Sequence, residues 1–372
     1  MKLTIKRDKF ANSFQLAAAV APSRSPKPIL QNIKIQSDDS ATVLTATDME
    51  VGVRMKVDDV EVNTPGAAII PVSRLNMILR ESTDETLDFD SDNDRTIITG
   101  KSSRFELQGQ NPDEFPEVRE FNATDYYEVE ARVFRELIKR TLFATDAESS
   151  RYALGGVLLE FDDTKIIAVG TDGRRLAKME GTIEKKGNPQ EAGSTTIVPA
   201  KSMQLMDRIL PSGDEKVRIS IESNDLLIEQ GNVVFSTRLV EGRFPKWRDV
   251  IPERKESTQV DIPVGQMYSA IRQAAIVASE ESRGIDFTFK NGSLVLSNST
   301  AEVGQSRVEM PVAYDANEMT ITLDHRFVSD FLKVLEPENN FTFDIEDGES
   351  AAYCKSGSEY GYVIMPLSRD RK

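Results

Sequence analysis

The sequence predicts an α+β protein made of three similar units, each mostly antiparallel strand with two helices. Three observations carry this. A strand followed by an amphipathic helix opens the pattern three times. A second strand-then-helix segment recurs in the middle of each unit. Matching positions also keep nearly constant offsets: Pro71 to Pro199 is 128 residues, Pro199 to Asp324 is 125, and Phe115 to Phe244 is 129. A period this long is too large for a solenoid repeat and points to duplicated domains.

The first unit opens with a strand over 2–6 and a helix over 8–19, with Phe10, Phe14, Leu16 and Ala17 on one face. The second opens with a strand over 127–130 and a helix over 131–144, where Phe134, Leu137, Ile138 and Leu142 are apolar. The third has a strand over 259–262 and a helix over 264–278, with Met267, Ile271, Ala274 and Ala275. Spacing at i, i+3, i+4 and i+7 supports a helix each time. Alternating strands follow at 29–36 and 42–47, at 156–161 and 165–171, and at 284–289 and 293–297. Lys290-Asn-Gly joins the last pair, and Asn-Gly suits the positive φ angles of a type I′ turn. Second helices are expected over 73–81, 200–209 and 324–335. The acidic run Asp88-Phe-Asp-Ser-Asp-Asn-Asp lacks the glycine and the final glutamate of a calcium loop. Flanked by Leu87, Phe89, Ile97 and Ile98, it reads as a hairpin with a solvated acidic tip. Polar, turn-rich stretches at 121–125 and 252–257 set the boundaries, giving domains over 1–122, 123–254 and 255–372.

Charge and composition then narrow the function. Lys and Arg number 46 against 61 Asp and Glu, a net charge of −15 that does not suit a simple nucleic-acid binder. The six predicted helices nevertheless sum to +6, which leaves −21 for strands and loops. Helices gathered on one face would attract a phosphate backbone while the rest of the body repels it. The single cysteine, Cys354, excludes an intrachain disulfide framework and a Cys-rich zinc site. The single histidine, His325, falls at a helix start and is expected to be an exposed first-turn residue. No Gly-x-Gly and no phosphate-binding loop motif occurs. An enzyme would need a Ser–Lys or carboxylate pair in a pocket, and no such constellation is recognisable. The protein is expected to be a non-enzyme without metal or cofactor. The aliphatic run 16–21 is far short of the roughly 20 residues of a membrane span, so a cytoplasmic protein is expected.

Several strings carry a resemblance. They are Pro28-Ile-Leu-Gln-Asn, Arg151-Tyr-Ala-Leu-Gly-Gly, Thr171-Asp-Gly-Arg-Arg-Leu-Ala, Leu239-Val-Glu-Gly-Arg-Phe-Pro, Ser282-Arg-Gly-Ile and Tyr362-Val-Ile-Met-Pro-Leu. In this order and spacing the chain resembles the bacterial sliding clamp, the β subunit of DNA polymerase III holoenzyme, over its full length. The resemblance implies two subunits of three clamp-type domains each, closed head to tail into a ring with helices lining the hole. It implies a processivity factor that encircles duplex DNA without reading sequence. DNA contact would fall to Arg24, Arg80, Arg135, Lys139, Tyr152, Lys201 and Arg283.

The resemblance also implies a peptide groove between the second and third domains. Carried over, it comprises Leu154, Thr171, Gly173, Arg174, Arg175, Leu176, Pro245, Val250, Phe327, Val363, Ile364, Met365, Pro366 and Leu367. Short Gln- and Leu/Phe-containing peptides would dock there from the DNA polymerase III catalytic subunit, the clamp loader, other polymerases and repair proteins. The ring interface would join Arg74, Arg104, Phe105 and Leu107, with the strand over 102–107, to Ile276, Val277 and Glu302, with the strand over 302–309. The chain departs from the family in three places. It ends Met365-Pro-Leu-Ser-Arg-Asp-Arg-Lys where Met-Pro-x-Arg-Leu is frequent. Arg174 stands where histidine is frequent. Arg307 lies in a third-domain strand that is usually densely acidic, so apolar contact should matter more across the ring.

Overall fold

A computed structural model describes residues 1–367 except 93, 147–151, 190–195, 212, 255–256, 280–282 and 301–302. The side chain of Tyr152 also lies outside the description. Six α-helices occur among the described residues: α1 (Arg7–Ala18), α2 (Val72–Glu81), α3 (Ala131–Thr141), α4 (Ala200–Ile209), α5 (Val264–Ala274) and α6 (His325–Lys333). They match the expected helices to within two residues, apart from two ends. The last turns of the α3 and α5 segments tighten into 3₁₀ helices, Leu142–Ala144 and Ala275–Val277. In α3 the Thr141 hydroxyl donates back to Leu137 O at 2.6 Å, a bond that often bends a helix. The predicted apolar faces are buried: Phe10, Phe14 and Ala17 on α1, Phe134, Leu137 and Ile138 on α3, and Met267, Ile271 and Ala274 on α5.

The acidic run is the expected hairpin, with Thr86–Ser91 paired to Arg95–Thr99 and Phe89 opposite Ile98. Asp92 ends the turn by accepting from the Asp94 and Arg95 amides at 2.9 Å each. Two smaller expectations need correction. Gly292 has φ 75 but Asn291 is not among the residues of positive φ, so the Lys290-Asn-Gly turn is not type I′. His325 is half-buried rather than exposed, because it opens α6 directly after the buried N-cap Asp324.

The chain folds as two compact units. Unit 1 comprises Met1–Phe134, Ile183–Glu191 and Lys201–Leu239; unit 2 comprises Arg135–Thr182, Ala192–Ala200 and Val240–Lys372. Unit 1 holds a five-stranded antiparallel sheet ordered Val60–Thr64, Lys2–Lys6, Thr86–Ser91, Arg95–Thr99, Arg104–Gln108. Unit 2 holds a four-stranded sheet ordered Gly304–Pro311, Ser293–Thr300, Gly284–Lys290, Met319–Asp324.

One feature of the pairing recurs in both units. In unit 1 the strand Val233–Arg238, the last of the second repeat, lies antiparallel to Val51–Val57 with Thr237 opposite Val51. In unit 2 the strand Tyr360–Ile364, the last of the third repeat, lies antiparallel to Arg175–Lys186 with Ile364 opposite Arg175. The last strand of one repeat thus joins the middle strand of the repeat before it, twice. The equivalent strands left over are Arg104–Gln108 and Gly304–Pro311, and each is the edge of its sheet.

Beneath the unit 2 joint an aromatic cluster fills the core. Phe331 of α6 stacks on Tyr362 at 5.1 Å and on Tyr360 at 5.5 Å, with the Phe341 ring edge-on at 5.4 Å. These contacts fix α6 against the final strand, and α6 supplies two of the side chains that build the site.

Candidate functional site

The site begins with a five-residue turn, Thr171 to Arg175. Asp172 Oδ1 accepts from the Arg174 and Arg175 amides at 2.9 and 3.0 Å, and Thr171 Oγ1 accepts from Gly173 N at 3.1 Å and donates to Arg175 O at 2.6 Å. Gly173 takes φ 86, where a side chain would be strained. Arg175 begins the next strand with its side chain only 10% exposed. Its guanidinium binds Asp172 Oδ2 at 3.0 Å, Asp330 Oδ2 at 2.9 Å and Phe143 O at 2.7 Å, and it lies 4.4 Å from the Phe327 ring centroid. Each of its three nitrogens therefore has a partner, a task suited to the planar fork of Arg and not to Lys. Burial pushes the Tyr362 phenol well above its ordinary value, so it stays neutral and donates to Phe327 O at 3.0 Å.

The C-terminal segment completes the site. The final strand ends at Ile364, as Pro366 requires. The segment beyond is tied down by main-chain bonds rather than left free: Met365 N donates to Arg174 O and Leu367 N to Thr322 O, both at 2.9 Å. Below lies a cluster of Leu158, Val169, Leu176, Ile197, Phe244, Trp247 and Val363. Trp247 Nε1 donates to Glu160 Oε1 at 3.3 Å, and Arg248 covers its ring at 4.2 Å.

The residues expected in the groove divide by burial. Leu154, Thr171, Leu176, Phe327, Val363 and Ile364 are buried, while Gly173, Arg174, Pro245, Val250, Met365 and Leu367 are exposed, and Arg175 and Pro366 are half-buried. The first group supports the second from beneath. Phe143, Asp330 and Tyr362 also build the site and were not anticipated. Asp330 is 155 residues from Arg175, and no local pattern links the two.

The expected DNA contacts are distributed over both units. Arg24, Arg80, Lys139 and Lys201 are exposed, while Arg135 and Arg283 are half-buried. Lys201 pairs with Asp48, and Lys139 lies 3.8 Å from Glu336. The Tyr152 side chain lies outside the described residues. Of the expected interface, Arg74 and Arg104 are exposed, Phe105 and Leu107 are half-buried, Ile276 is 75% exposed and Val277 is half-buried. Glu302 lies outside the described residues. The two interface strands begin later than expected, at Arg104 and Gly304.

Seven large apolar side chains are exposed among the described residues: Met49, Met77, Val250, Ile276, Val303, Met365 and Leu367. Five of them fall on the expected groove or the two expected interface segments, and exposed apolar groups of this kind are a feature of interaction surfaces. Among the described residues no cluster could hold a metal ion, and no helix is long and apolar enough to cross a membrane.

Comparison with known proteins agrees with this architecture. Models of the N-terminal, central and C-terminal domains of the DNA polymerase III beta subunit match residues 1–119, 128–246 and 248–368. The chain belongs to the bacterial beta sliding clamp family. The beta sliding clamp of Chlamydia trachomatis is 30% identical over 368 residues, covering 99% of this chain and 87% of that protein. That of Escherichia coli is 27% identical over 372 residues, covering 99% and 100%. The DNA polymerase III subunit beta of Pseudomonas aeruginosa superposes with a TM-score of 0.91 at 27% identity, covering 99% of this chain and 100% of that one. Another Pseudomonas aeruginosa sliding clamp structure, bound to griselimycin, gives 0.89 at 28% identity with the same coverage. The chain is accordingly a processivity factor of DNA replication and not an enzyme, in a family that binds DNA and polymerase.

Proposed function

We propose that two copies of the chain close head to tail around duplex DNA and hold replication proteins by short peptides at the unit 2 groove. The observation that carries the ring is the repeated strand joint. Two such joints are made inside each chain, and the two strands needed for a third are left as open edges, Arg104–Gln108 and Gly304–Pro311. An open edge presents unpaired amides and carbonyls that invite another strand. Neither edge can be satisfied by its own sheet, and a second copy supplies the complementary edge to each. Ile276 and Val303, 75% and 58% exposed, would be covered with Phe105 and Leu107 when the edges meet. Two chains of three repeats bring six repeats into the ring; native mass separates this from a trimer.

In this reading DNA contact is carried by Arg24, Arg80, Arg135, Lys139, Tyr152, Lys201 and Arg283. Contact is electrostatic and blind to sequence, so binding to linear DNA falls steeply with salt. The domains run over 1–122, 123–254 and 255–372. The polymerase III catalytic subunit, the clamp loader, other polymerases and repair proteins all compete for the groove.

Val250, Met365 and Leu367 offer exposed apolar contact, a composition suited to a short linear peptide. Methionine suits a site that must accept related sequences, because its flexible thioether repacks. Deleting residues 365–372 is expected to abolish binding of a polymerase tail peptide while the native mass stays that of a dimer. A buried Leu or Phe anchor contributes roughly 1.5–3 kcal/mol, so affinity should fall at least about tenfold. Unchanged affinity in a truncated dimer, measured by calorimetry, would place the peptide elsewhere.

A further inference from the structure

The turn that supports the groove occurs twice. In unit 1, Thr47 to Val51 repeats the bonds of Thr171 to Arg175 one for one. Thr47 Oγ1 donates to Val51 O at 2.7 Å and accepts from Met49 N at 2.9 Å; Asp48 Oδ1 accepts from Glu50 N at 3.0 Å and Val51 N at 2.8 Å. Arg238 N donates to Glu50 O at 3.0 Å, as Met365 N does to Arg174 O. Met49 has φ 80 where Gly173 has φ 86. Methionine does not favour that conformation, so the shape is kept against local preference.

The side chains on this shared frame differ. By strand register Gly52 stands where unit 2 has Leu176, and by the repeat offset Val118 stands where it has Trp247. A Cβ on Gly52 would lie 2.6 Å from Val118 Cγ1, so the small pair closes the floor. Above it is a recess of about 230 Å³ whose lining includes Thr47, Met49, Glu50, Val118 and Arg238. The charges are changed as well. Glu50 replaces Arg174, and Arg238, which replaces Met365, lies 3.8 Å from Glu50, so the lining holds the carboxylates of Glu50, Glu117 and Asp225 against the guanidiniums of Arg119 and Arg238. Arg119 is held by Glu222 and Asp225 at 3.0 Å each, and Glu117 is exposed at the same recess.

We propose that this recess is a second peptide-docking site, for a short extended segment carrying an aliphatic side chain flanked by lysine or arginine. The inference rests on the peptide-docking reading of the unit 2 groove. Met49, 46% exposed, can adapt around one aliphatic side chain. Glu117, exposed, and the surplus of carboxylates in the lining favour basic flanks, whereas the exposed Arg174 opposes them at the other site. One chain would then hold two partners of opposite charge preference without competition.

The test uses the full-length protein and a fluorescent hexapeptide of two leucines flanked on each side by two lysines. Saturable binding at one site per chain is expected. Excess polymerase tail peptide should not displace it. Glu50→Arg and, separately, Glu117→Arg should each weaken it at least tenfold, while Asp39→Arg, the same charge change on a distant turn of unit 1, should leave affinity within twofold. Absence of saturation, or equal loss with Asp39→Arg, would overturn the proposal as mere adsorption to an acidic chain. The tail peptide, titrated alone, reports on the unit 2 groove independently: if it binds and the lysine peptide does not, only the second site is lost.

Discussion

Arg175→Ala should weaken a polymerase tail peptide at least about tenfold and destabilise unit 2 by about 2–3 kcal/mol. The side chain is a positioning element more than a contact surface. It gathers the turn at Asp172, helix α6 at Asp330 and the carbonyl of Phe143 around one guanidinium, under the ring of Phe327. Its removal leaves Asp172 without its cation at 16% side-chain exposure, while Asp330, 28% exposed, keeps Lys333 at 3.0 Å. That partial exposure keeps the expected loss below the full cost of breaking a buried pair. Arg175→Lys should recover part of the stability but little of the affinity, because an ammonium cannot span three acceptors and stack on a ring. Urea unfolding and peptide titration read the two effects separately. An alanine variant with wild-type affinity would show that the peptide does not depend on this frame.

Ile276→Asp with Val277→Asp should convert a dimer into a folded monomer. Ile276 is 75% exposed in the single chain and so contributes little to its core. The turn itself is anchored through its backbone, since Thr300 donates to Val277 O at 3.0 Å and Ser306 to Ala274 O at 2.7 Å. Charge placed there harms the fold only slightly but would be buried unpaired against the partner's edge, at a cost of a few kcal/mol per interface. Two interfaces per ring double the effect. Light scattering should give the mass of one chain, 41.5 kDa, for the variant and twice that for the wild type. A wild-type monomer at micromolar concentration would contradict the ring.

The repeat, the helices and the hairpins were legible because they are local. Phe10 and Phe14 or Leu137 and Ile138 declare a helix face through spacing alone, and a turn is declared by the few residues within it. Packing across distance was not legible. Asp330 is an ordinary helix carboxylate in the sequence, and only the fold brings it to Arg175. Leu176 and Val363 likewise read as possible lining, yet they belong to the core cluster with Trp247. The open edges Arg104–Gln108 and Gly304–Pro311 could not be read either, because an edge is a property of the whole sheet.

Encirclement is tested most directly by retention on nicked circular duplex DNA after loading, followed by a wash in high salt. A closed ring should stay on the circle through salt that strips it from linear DNA, and should be released when a restriction enzyme cuts the circle. Equal salt loss from circular and linear DNA, or retention unaffected by cutting, would contradict encirclement.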